Sequence, residues 1–189
     1  IDIKDMIVDN SGDFILHIGG ETSSKNFLPL PKHANMLIVR QTYTNRVSQT
    51  HAKVNIKTTS SIATPELLTS EKLETQLNQS LAFVRGTAST FLKWVHEFKE
   101  NHRNKLPLGD QSFFQAAGGD PKICYLHGYY EFDENEFLEI TTNIPDCEYW
   151  NFQLENYWME SLDYRHYPIH INECSAILNQ DKSITINIS

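Results

Sequence analysis

The sequence predicts a mainly β (α+β) fold, a β-sandwich with a long amphipathic helix inserted around residues 70–101. Short apolar–polar alternations bounded by Gly, Pro and Asn occupy both ends of the chain, which is the pattern of half-buried strands. The middle changes to a helical period. Neither a linker nor a repeat separates the blocks, so residues 1–189 read as a single β-rich domain.

Each element has a local cause. Asp13 to Ile18 reads as a first strand, closed by the turn pair Gly19-Gly20, and a polar loop follows from Glu21 to His33. Met36 to Tyr43 reads as a strand buried on both faces at its start. His51 to Lys57 places Ala52, Val54 and Ile56 on one face and Lys53, Asn55 and Lys57 on the other. Thr64-Pro65 supplies a cap and a first-turn proline for a short turn of helix. From Ser70 to Asn101, Leu73, Leu77, Leu81, Val84, Ala88, Phe91, Val95 and Phe98 recur three and four apart, the apolar stripe of a long helix. Gly86 inside it marks a kink or a close contact. Asp110 to Ala117 is a short helix stopped by Gly118-Gly119-Asp120-Pro121.

Strands dominate the rest. Ile123 to Phe132 and Phe137 to Thr142 flank the acidic turn Asp133-Glu134-Asn135-Glu136 as a hairpin. Tyr149 to Leu154 alternates again, and Glu155-Asn156 ends that alternation, putting the following residues on a loop. Ser175 to Leu178 and Ser183 to Ile188 form a last hairpin around Asn179-Gln180-Asp181-Lys182. The start at Ile1 and the stop within this run read as a fragment lacking its C-terminal continuation. The row Ile184, Ile186 and Ile188 then needs another layer, or pairing with a second copy.

Charge narrows the partners. Sixteen basic against 24 acidic residues give a net charge of −8, and the densest basic stretch holds only Lys99, Arg103 and Lys105. That opposes nucleic acid and anionic membranes, which demand a positive footprint. No apolar run reaches the ~18 residues of a membrane span and no signal-peptide pattern opens the chain. Cys124, Cys147 and Cys174 are too few for a disulfide framework and lack C-x-x-C spacing, so reduced thiols and a cytoplasmic location are expected, with one disulfide plus one free thiol as the alternative.

Most motif fragments fail on chemistry. His96-Glu97 opens a zinc-protease pattern, but Glu100 stands where the second histidine belongs. Pro168 between His166 and His170 forbids the helix that would align them on a metal. Ser161, Asp163 and His166 lack a nucleophile elbow, and Cys174 beside His170 reads as a buried thiol. Gly118-Gly119 has no phosphate-loop partners, and the acidic turn at 133–136 has no calcium-loop order. No metal and no cofactor is expected.

One segment resists a purely architectural reading. Tyr149 to Arg165 interleaves large aromatics with amides, acids and an arginine, the composition of a small-molecule pocket. Arg40, Trp150, Gln153, Asn156, Tyr157, Trp158 and Asn172 are the candidate ligand-binding residues, with Glu160, Asp163 and Arg165 as candidates for catalysis.

The same segment resembles the family known as domain of unknown function 1214. Pro145, Tyr149, Trp150, Leu154 and Asn172 match that family's pattern, and Leu37 to Arg46 and Gly118 to Pro121 resemble upstream segments of longer relatives. Asp181-Lys182 departs from it where the family has Asp-Gly. The resemblance implies a jelly-roll-like sandwich and brings no established activity.

The expected function is therefore binding of a small, partly apolar or glycan-like ligand at an aromatic- and carboxylate-lined site. Acid–base hydrolase or lyase chemistry on such a ligand, or a non-catalytic assembly module, are the alternatives. Self-association stays open. Catalysis calls for a carboxylate with a raised pKa in a cleft. A binding module calls for carboxylates paired with arginine or solvated.

Overall fold

The computed structural model describes residues 1–20, 23–34, 36–59 and 67–189. By its internal contacts the chain divides into two units, Ile1–Thr42 and Tyr43–Ser189.

In the first unit a single 3-10 turn, Ile3–Asp5, is capped by Asp2, whose carboxylate accepts from the Lys4 amide. Two short strands, β1 (His17–Ile18) and β2 (Phe27–Leu28), run parallel with His17 opposite Phe27. Asn26, buried beside β2, donates through Nδ2 to the Ile7 carbonyl and accepts through Oδ1 from the Ile7 amide, both at 2.7 Å. One side chain thereby satisfies both backbone groups of a neighbouring strand-like residue.

The second unit is built on α1 (Ser70–Asn101), with the limits the periodicity predicts. Thr69 caps it, its side chain accepting from the Lys72 amide at 3.2 Å. The proposed cap at Thr64-Pro65 lies outside the described residues. Of the apolar stripe only Val95 and Phe98 are buried, whereas Leu73, Leu77, Leu81 and Val84 face solvent. Nothing lies within 4 Å of a Cβ built on Gly86, so no close contact explains that glycine.

The helix closes on an aromatic cluster. α2 (Gln111–Ala116) begins at Asp110, which accepts from the Ser112 amide and hydroxyl, and ends where Gly118 takes φ 95°. A Cβ at Gly119 would sit 2.8 Å from the Phe114 carbonyl oxygen, so this stop needs glycine twice. Trp94 packs on Phe113 and Phe114, and His127 lies against Phe114 and stacks on Phe98, at centroid distances of 4.8 to 5.7 Å. Burial pushes the His127 pKa down, and nearby His102 adds to it.

Four strands complete the unit: β3 (Leu138–Asn143), β4 (Asn151–Gln153), β5 (His170–Asn172) and β6 (Ser183–Ile188). β3 pairs antiparallel with β6, Leu138 opposite Ile188 and Asn143 opposite Ser183. β4 pairs antiparallel with β5.

The predicted sandwich is corrected here. Among the described residues the strands form three separate two-stranded sheets, and no closed jelly roll exists for the helix to pack on. Alternation reports which face of a segment is apolar and says nothing about which strand pairs with it. Residues 36–43 and 51–57 carry no assigned strand, and Met36, Ile38, Val54 and Ile56 are exposed rather than buried. β3 finds its partner in β6, not in residues 123–132. Ile184 and Ile188 of β6 are buried within the chain and Ile186 is half-buried.

Residues 123–132 do alternate, with Ile123, Tyr125, His127 and Tyr129 turned inward, but side-chain amides replace the ladder. Gln111 donates to the Tyr125 carbonyl at 2.9 Å and accepts from its amide at 2.8 Å. Asn104 does the same for Glu131, at 2.8 and 2.9 Å.

Candidate functional site

β4 and β5 frame the segment singled out from sequence. Their register pairs Asn151 with Asn172, Phe152 with Ile171 and Gln153 with His170. Strand geometry therefore puts Asn151, Gln153, His170 and Asn172 on one face and Phe152 and Ile171 on the other. The Leu154 amide donates to the Ile169 carbonyl at 2.8 Å and extends the apolar side by one rung. Beyond it the chain leaves the sheet, as the broken alternation at Glu155-Asn156 predicts.

The loop is short-range and tightly tied. Glu155 bridges Ser161, and between them Asn156 organises the tip. Asn156 Oδ1 accepts from the amides of Trp158 at 2.9 Å and Glu160 at 3.0 Å, while Nδ2 donates to Glu160 Oε2 at 2.9 Å. Met159 completes the reversal at φ 59°. Tyr157 and Trp158 are thereby presented at the apex, 46% and 50% exposed, in an edge-to-face pair with centroids 6.0 Å apart.

The other candidates fall into different places. Asp163 and Arg165 form a bidentate pair, Nε to Oδ1 and NH2 to Oδ2 both at 2.9 Å, in solvent. The Arg165 guanidinium holds the Asp163 carboxyl below its ordinary value, so this acid is committed to the arginine. Arg165 donates its fork to Asp163 rather than holding it open for an anion. Arg46 lies over the Tyr164 ring at 5.3 Å. Arg40 belongs to the first unit.

Asn172 is buried, and its amide is consumed internally. Nδ2 donates to the Thr44 carbonyl at 2.8 Å, and Oδ1 accepts from the Cys174 amide at 3.0 Å and from the Ser175 hydroxyl at 3.3 Å. This pins the segment after Tyr43 to the end of β5. Trp150 Nε1 is buried with no hydrogen-bond partner. Cys124, Cys147 and Cys174 are all free and exposed, which corrects the reading of Cys174 as a buried thiol.

Sequence reasoning missed Glu155. Burial pushes its pKa up, against an opposing hydrogen bond from Gln153 Nε2 at 3.3 Å. Its position two residues beyond β4, in step with Asn151 and Gln153, was the available signal. Among the described residues no cluster of His, Cys, Asp or Glu is arranged to hold a metal ion, and no helix is long and apolar enough to cross a membrane.

No known protein-family model matches the chain, and no curated protein matches it. The crystal structure of an uncharacterised protein from Burkholderia cenocepacia is similar, with 35% sequence identity and a TM-score of 0.91 over 99% of this chain. The match occupies 52% of the Burkholderia chain, so the present chain spans about half the length of that relative.

Proposed function

We propose that the β4–β5 hairpin is a recognition element for a small, partly apolar or glycan-like ligand, in a relative of the domain of unknown function 1214 family. The observation that carries this reading is the exposed Tyr157–Trp158 pair on a tip locked by Asn156. Half-exposed aromatic rings held in place lose little entropy when a flat apolar or sugar face stacks on them. The unpaired Trp150 indole N–H and the partly buried Glu155 carboxyl add a donor and an acid on the same hairpin. At the predicted acid Asp163 binding is favoured over acid–base catalysis, because Arg165 pairs with it and holds its pKa on the wrong side for a proton donor.

Titration with cello- and chito-oligosaccharides, followed by tryptophan fluorescence, tests the reading. Saturable binding that Trp158→Ala abolishes and Arg165→Met leaves intact is the expected result. Absence of binding at millimolar sugar, or binding indifferent to Trp158→Ala, contradicts it.

A further inference from the structure

α1 carries an apolar seam that is covered only at its C-terminal end. Leu77, Leu81, Val84, Ala88, Phe91, Val95 and Phe98 follow one another at alternating spacings of four and three, the seam of a helix packed along its length. The last two are buried by the unit's own aromatic cluster, but Leu77 is 61% and Val84 63% exposed, and Leu73, Leu81 and Ala88 are exposed as well. A helix with water on both sides does not maintain such a seam without a partner.

Length identifies the occupant. The Burkholderia chain holds the same arrangement, at a TM-score of 0.91, in a polypeptide nearly twice as long. We propose that the exposed part of the α1 seam, from Leu73 to Ala88, docks polypeptide equivalent to the half of the Burkholderia chain that this chain does not match. This inference is independent of the ligand reading.

The test compares hydrogen exchange along α1 of the 189-residue chain with exchange along the matching helix of the intact Burkholderia protein, with light scattering giving the mass of each. Exchange at Leu77 to Val84 of this chain at least tenfold faster than at the matching positions of the intact Burkholderia protein is the expected outcome. Two results overturn the proposal: equal exchange in the two proteins, or a dimer of this chain alone that already protects the seam.

Discussion

Lys182 sits at φ 66°, the left-handed region, in the turn that feeds β6. A side chain there costs about 1 kcal/mol or more relative to glycine. The turn tolerates it because Asp181 Oδ1 accepts from the Ser183 amide at 3.0 Å and from its hydroxyl at 2.6 Å. The Lys182 amide also donates to the Asn179 carbonyl at 3.0 Å. Lys182→Gly should raise stability by about 1 kcal/mol in urea unfolding, since the native bonds stay and the strain goes. A loss would mean that the lysine side chain contributes something the turn geometry does not. The turn was legible in Asn179 to Lys182; the positive φ at a lysine was not, because lysine carries no preference for it. The same limit applies to the site. Tyr157 and Trp158 were visible as large aromatics in a polar loop. That Asn172 would spend its amide on Thr44, far away in sequence, depends on a tertiary contact that no local pattern encodes.

At the level of elements, α1 was the most readable feature. Its stripe extends over many turns, and each turn repeats the signal, so the limits Ser70 and Asn101 follow from period alone. Which part of the stripe is covered did not follow, because period is indifferent to what packs on it. Phe98, 6% exposed and stacked on His127, should lose about 3–5 kcal/mol of stability on change to alanine. Leu77→Ala, three heptads away on the same stripe, should stay within about 0.5 kcal/mol in the chain alone. Equal losses at the two positions would show that the N-terminal turns are packed after all. Strands were less readable for a related reason. Residues 123–132 present the right alternating face, yet Gln111 and Asn104 side chains take the place of a neighbouring strand. A lone amide that mimics a ladder leaves no periodic trace in sequence.

At the scale of the whole molecule, composition argues against classes of partner without naming one. A net charge of −8 with no basic block opposes nucleic acid, and that argument needs no structure. The sandwich failed at this scale because the sequence contains enough apolar alternation for more layers than the chain itself assembles. Unspent alternation in residues 36–43 and 51–57, and the open seam of α1, are the same fact seen in two kinds of element. The central claim is that the chain's own core secures only the C-terminal turns of α1 and leaves the N-terminal turns for a partner. Residue-resolved hydrogen exchange on the isolated chain tests it most directly. Amides around Val95 to Phe98 should exchange with the slow rate of the aromatic cluster, and those from Leu73 to Val84 should exchange at least tenfold faster. Uniform protection along the whole of α1 in a monomer would contradict the account.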